Sequence, residues 1–144
     1  MKFIKSTYDP DTGYSTVIIQ HLGKKFVGTA RTHPEETNKS TYFGCQLAEI
    51  RAEIKALKYE RTIAKQKSDD ALDFIKSCQN YAKFNVGDDS AKVMYRQLNQ
   101  RIKKVNDLAD HINDLLKEED RIINQRKIVL GAIDRRKEMT KEDK

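Results

Sequence analysis

The sequence predicts an α+β chain. A three-stranded antiparallel β-meander, residues 1–32, precedes a long antiparallel two-helix hairpin that oligomerises through its helices. Three observations predict this. Turn-forming residues cut the N-terminal segment into short β-rich runs. Apolar residues step by three and four from Phe43 onward. Both prolines, Pro10 and Pro34, precede that helical pattern. With no proline after Pro34, nothing in the remaining chain forces a long helix to break.

The first run, Lys2 to Tyr8, is rich in β-formers and is followed by Asp9-Pro10-Asp11-Thr12-Gly13. Proline suits the second position of a turn, aspartate its start, and glycine a positive φ. Tyr14 to Gln20 is the clearest strand, Leu22-Gly23-Lys24-Lys25 a second turn, and Phe26 to Arg31 a third strand. Short turns between three strands give an antiparallel meander, and so small a sheet needs a cover on one face.

Residues 33–40 read as a polar connection, 41–84 as the first helix, 85–89 as a turn, 90–139 as the second helix and 140–144 as a frayed tail, all in one domain spanning 1–144. Phe43, Leu47, Ile50, Ile54 and Leu57 open a seam on the first helix. It continues through Arg61, Ala64, Ser68, Ala71, Ile75, Cys78 and Ala82. A coiled-coil seam prefers Leu, Ile or Val, so Arg61 and Ser68 mark a central gap. Gly87 can end this helix and Asp88 or Asp89 cap the next. The second seam is read as Leu98, Ile102, Val105, Ala109, Ile112, Leu116, Ile123, Leu130 and Ile133, interrupted by Glu119 and Arg126. Folding back around Gly87 brings residues 128–133, apolar nearly all round, near Phe43 and Leu47, where burial on several sides is expected. Tyr59, Ile63, Leu72, Phe74, Leu108, Leu115 and Ile122 fall off the seam. Burying a Leu or Ile is worth about 1.5–3 kcal/mol, and a two-helix hairpin cannot bury all of these, so a symmetric homo-oligomer is expected.

Composition narrows the function. The net charge of +6 is spread along the chain with acidic residues interleaved, which argues for a solvated helical surface rather than a track for duplex nucleic acid. No apolar run approaches the roughly 18 residues needed to span a membrane. Cys45 and Cys78 would lie on the order of 50 Å apart on one helix. That is far beyond the reach of a disulfide, and two free thiols suit the cytoplasm. His21, His33 and His111 are scattered, so no metal site is expected. The six glycines never cluster into a phosphate loop, and no serine elbow or Cys–His pairing offers a nucleophile. A non-enzymatic binding protein without a cofactor is therefore expected.

Two places carry binding-type residues. At the hairpin tip, Tyr81, Phe84 and Tyr95 flank the turn, with Asn85, Arg96, Asn99 and Arg101 close by. Aromatic rings stack bases, amides read base edges and guanidinium groups fork onto phosphates. The same aromatics could equally pack the end of the hairpin. The second place is the third strand and its exit, Gly28, Thr29 and Arg31, where small residues let a ligand or another chain approach the backbone and Arg31 could hold phosphate. A glycine accommodating sheet curvature beside a solvated arginine accounts for it as well. Arg61, on the seam, could pair with Asp114 or line an inter-subunit cavity.

Taken in order, Lys2-Phe3-Ile4-Lys5-Ser6-Thr7-Tyr8-Asp9-Pro10, Phe26-Val27-Gly28-Thr29-Ala30, Cys45-Gln46-Leu47-Ala48-Glu49-Ile50-Arg51-Ala52 and Leu57-Lys58-Tyr59 resemble the phage anti-Thoeris signal-sponge proteins of the first described type. The resemblance covers nearly the whole chain and rests on sequence flavour and layout, with no single diagnostic motif. It implies a protein of the host cytoplasm that binds a cyclic ADP-ribose-type signal and sequesters it uncleaved. It also implies oligomers built from dimers, up to hexamers, and in some members a separate inter-subunit site for cyclic oligonucleotides. A family aromatic before the second helix stacks on the ligand, and Phe84 matches it. Asn99, Arg101 and Arg61 are assigned to that pocket by residue type and location, and Gly28, Thr29 and Arg31 to the second site. Two other classes compete: a phage protein–protein inhibitor or scaffold acting through its helical surface, and a nucleic-acid-binding accessory protein with steeply salt-dependent affinity.

Overall fold

The computed structural model describes residues 1–31, 40–82 and 88–142, and for residues 40–42, 79–82, 88–91, 130, 133, 134 and 137–142 only the backbone. The order is β1 (Lys2–Asp9), β2 (Tyr14–His21), β3 (Lys24–Arg31), α1 (Ser40–Ala82) and α2 (Asp88–Glu142). Three antiparallel strands in the order β1-β2-β3 are thus followed by two long helices, as the sequence predicts. The chain divides into two compact units, one formed by Met1–Ala56 with Asn113–Lys144 and the other by Leu57–Ile112.

Both strand turns follow from local chemistry. The Asp9 side chain accepts from Asp11 N at 3.0 Å, and Gly13, at φ 76°, closes the loop by donating to Asp9 O at 2.7 Å. The β2–β3 hairpin turns on two residues, Leu22 at φ 53° and Gly23 at φ 74°, between the paired His21 and Lys24. Two positive φ values match the twist of the strands, but a leucine pays a steric penalty there that asparagine largely avoids. We expect Leu22→Asn to raise stability by about 0.5–1 kcal/mol, read as a higher urea midpoint at unchanged slope. A lower midpoint would show that the exposed leucine makes an interaction the turn needs.

In the first unit the sheet alternates cleanly. Ser15, Val17 and Ile19 of β2 and Phe26, Gly28 and Ala30 of β3 are buried, while β1 is exposed along all eight residues. The buried face rests on α1 at Ala48 and Ala52, which meet Gly28, and at Cys45, whose Sγ lies 3.9 Å from Ser15 Oγ. The contact is close. A Cβ built on Gly28 would overlap the Ala48 carbonyl and stand 2.5 Å from Ala52 N. The outer edge of β3 is held from the helices. Lys55 Nζ donates to Val27 O at 2.8 Å, Arg51 Nη1 to Thr29 O at 2.9 Å and Arg126 Nη2 to Arg31 O at 2.7 Å. Arg51 also reaches Glu119, with Nε 3.4 Å from Oε1. The two polar interruptions of the α2 pattern, Glu119 and Arg126, therefore sit where a row of backbone carbonyls must be satisfied. Ile128 and Val129 remain 68% and 42% exposed, so the burial expected of these two is not seen among the described residues, while the side chains of Leu130 and Ile133 lie outside them.

In the second unit the helices run antiparallel. Arg101 Nη1 donates to Lys67 O at 3.0 Å, and Lys104 Nζ lies 3.8 Å from Glu60 Oε1, so positions descend on α1 as they ascend on α2. Leu57, Ala64, Ser68 and Ile75 of α1 and Leu98 and Ile112 of α2 are buried. Arg61, expected on the seam, is exposed, and the more covered position is Glu60.

The covered face of α2 matches expectation in part. Leu108 and Leu115 are half-buried and Ile122 is buried, although all three were expected off the seam. Ile102 and Leu116, expected on it, are exposed. The covered face of α2 runs through Leu98, Val105, Leu108, Ala109, Ile112, Leu115, Glu119, Ile122, Ile123 and Arg126, so the expected seam departs from it at Ile102 and Leu116 and holds at Ala109 and Ile123.

Candidate functional site

The second unit contains an open cleft of about 300 Å³ lined by Asp70, Ala71, Phe74 and Ile75 of α1 and Met94, Gln97 and Arg101 of α2. Spacings of three and four residues place each set on one side of its helix. Ile75 is a buried floor, while Phe74 stands 60% exposed as a wall. Met94 adds a soft, adaptable apolar surface. Arg101 is oriented by its hydrogen bond to Lys67 O, and Asp70 Oδ1 accepts from Gln66 Nε2 at 3.0 Å.

The arrangement sorts ligand groups by chemistry. An exposed ring beside an apolar floor suits a planar base. The Asp70 carboxylate and Gln97 amide suit amino and imino edges. The Arg101 guanidinium suits an anion, which Asp70 would repel. The volume is at the lower end for a small-molecule pocket, enough for part of a nucleotide. Among the described residues, no group of three His, Cys, Asp or Glu side chains could hold a metal. Glu118 in the other unit pairs with Arg121, whose hydrogen bond holds the carboxyl below its usual range, but this pair belongs to the α2 surface and not to the cleft.

Of the residues expected at the first site, the structure places Arg101 in the cleft. Tyr95, Arg96 and Asn99 are exposed and do not line it. At about 100° per residue they project from other sides of α2 than Met94, Gln97 and Arg101. Arg61 is exposed and also outside the lining. Phe84 and Asn85 lie outside the described residues, as does the side chain of Tyr81. Asp70, Gln97 and Met94 escaped the sequence reading, whereas Phe74 left a trace as an apolar residue off the seam.

At the expected second site, the close approach that Gly28 permits is taken by the α1 backbone at Ala48 and Ala52. Thr29 and Arg31 are exposed, and both offer their carbonyls to arginines of α1 and α2. The Arg31 guanidinium stands 5.9 Å from the centre of the Tyr14 ring, a cation–π distance. Glycine and arginine here serve the packing of sheet on helix and the outer sheet surface.

Comparison with protein-family models, with curated proteins and with solved structures found no match to this chain.

Proposed function

We propose that this protein is a non-catalytic sponge that binds and sequesters a cyclic ADP-ribose-type signal in the host cytoplasm, thereby blocking a bacterial anti-phage defence. The observation that carries the reading is the cleft, where one guanidinium, one carboxylate, one amide and an exposed aromatic converge on about 300 Å³ of space. These groups match the parts of such a ligand: a ring to stack, amino edges to bond and phosphates to hold. The resemblance of the N-terminal and α1 segments to signal-sponge proteins supplies the ligand class. One chain's cleft covers part of such a molecule, and a homo-oligomer, from a dimer up to a hexamer, would bury more of it. Cyclic oligonucleotides form a second ligand class for the same kind of surface.

The test uses the pure full chain, incubated with lysate containing the signal, washed and then heated. Release of the intact signal is the expected result, and a chemically altered product would remove the sponge reading. Phe74→Ala separates it from the competing class. A sponge variant should stay folded and bind the signal more weakly, because the exposed Phe74 ring is a wall of the cleft.

A protein–protein inhibitor or scaffold is favoured by one observation. Tyr95 and Ile102, seven residues apart and on one side of α2, are both exposed. Such a protein would bind no signal before or after Phe74→Ala.

A further inference from the structure

The sheet has two edges, and they are treated differently. Alternate carbonyls of a strand share one edge. On β3 the three at Val27, Thr29 and Arg31 are each occupied by a cationic side chain from a helix. No further strand can pair there without displacing Lys55, Arg51 and Arg126. The other edge is β1, whose eight residues are all exposed and which carries Phe3 at 54% and Tyr8 at 42% exposure. An open strand with aromatic side chains is a template for another strand unless something blocks it.

From this we infer that β1 is an interface for a second copy of this chain, paired antiparallel about a two-fold axis so that Lys2 meets Asp9, Phe3 meets Tyr8 and Ile4 meets Thr7. The bulge in β1 between Phe3 and Lys5 makes this register possible. Residues five apart on a regular strand face opposite ways. Here Phe3 pairs with Ile19 and Tyr8 with Ser15, both on the buried side of β2, so the two aromatics share a face. Lys2 pairs with Gln20 and Asp9 with Tyr14, on the opposite side. The bulge thus switches the alternation midway and makes each half of β1 complementary to the other half of a second copy. Opposite charges meet opposite charges and ring meets ring. A slip of one residue sets Phe3 against Thr7 or Asp9 and mixes the two faces, and a slip of two loses both Lys–Asp pairs.

The product is a continuous six-stranded sheet built from two three-stranded sheets. It stops there. The joined sheet ends on β3 at both sides, and both ends carry the cationic row. Pairing is therefore closed at two copies and does not propagate into a fibre. This interface is distinct from any association through the helices, and it stands or falls without the ligand reading.

The test is a site-specific cross-link in the full chain. Cys45 and Cys78 are replaced by serine, and Ile4→Cys and Thr7→Cys are introduced together. Mild oxidation at low micromolar protein should give a disulfide-linked dimer that reduction reverses, whereas Thr29→Cys on the β3 edge should stay monomeric on a non-reducing gel. A chain that is folded by circular dichroism and gives no cross-link overturns the proposal. So does a ladder of higher species, or equal cross-linking through Thr29→Cys. With the native cysteines retained, Lys2→Asp or Asp9→Lys should each weaken self-association by roughly tenfold, because two cross-strand pairs turn repulsive at once. The double variant Lys2→Asp/Asp9→Lys restores both pairs and should return to within about twofold of the parent by the same conversion. A double variant no better than either single one refutes the register.

Discussion

Replacing Gly28 with valine should destabilise the first unit by about 3 kcal/mol or more, the upper range for overpacking a core. The reason is specific. A Cβ at this position runs into the Ala48 carbonyl and Ala52 N, which are backbone atoms of α1 and cannot rotate aside. Relief requires lifting the helix from the sheet, which uncovers Val17, Ile19 and Leu47, all nearly fully buried. Even Gly28→Ala should lower the denaturation midpoint clearly, because the clash begins at Cβ. Urea unfolding followed by circular dichroism reads the effect. A Gly28→Val chain as stable as the parent would mean that the sheet does not rest on α1 at this point. Gly23 makes a useful contrast. Nothing lies within 4 Å of a Cβ built there, so its replacement is felt through its positive φ alone.

Signal binding should be lost most sharply at Arg101. Removing a guanidinium that pairs with a phosphate costs about 1.5–3 kcal/mol, so Arg101→Ala should raise the dissociation constant for a cyclic ADP-ribose-type ligand about tenfold to a hundredfold. Phe74→Ala removes the proposed stacking face and should cost about 1–3 kcal/mol by the same measurement. Phe74 is largely exposed, so this variant should keep the parent's melting temperature, which separates a binding effect from a folding one. Arg96→Ala and Asn99→Ala, exposed and outside the cleft lining, should bind within about twofold of the parent if the cleft is the site. Isothermal titration against the purified signal decides. Full affinity in both Arg101→Ala and Phe74→Ala would move the site to the hairpin tip.

The strands were legible because their signals are local. Asp9, Pro10 and Gly13 specify one turn whatever surrounds them, and alternation from Tyr14 to Gln20 announces a half-buried strand. The helices were legible too, with α1 at Ser40–Ala82 against an expected 41–84 and α2 beginning at Asp88 against an expected 90. The covered face of α2 was legible only in part, for a physical reason. Leu98, Val105, Ile112, Glu119 and Arg126 can be completed into a stripe by Leu108, Leu115 and Ile122 or by Ile102, Ala109, Leu116 and Ile123. The two choices differ by one residue, about 100° of rotation, and both rows are apolar. Burial draws on both, taking Leu108, Leu115 and Ile122 from one row and Ala109 and Ile123 from the other, and only the packing decides which. The cleft was half legible for a related reason. Arg101 was visible as a residue type, but its neighbours Asp70 and Phe74 come from α1, and which residues face each other depends on the axial alignment of the helices. Gly28 was legible as a place of close approach, but a strand sequence does not say which helix backbone will lie over it.

The polar residues within the covered stripe of α2 have a last consequence. A run of leucine and isoleucine at heptad spacing is nearly indifferent to sliding, since a shift of one repeat returns the same greasy contacts. Glu119 and Arg126 remove that indifference. Each meets a partner at a fixed height, Glu119 the guanidinium of Arg51 and Arg126 the carbonyl of Arg31. Displaced by a repeat, Arg126 would arrive where Glu119 belongs and set one arginine against another. The helix is thereby keyed like a notched bar, trading some adhesion for a single permitted alignment.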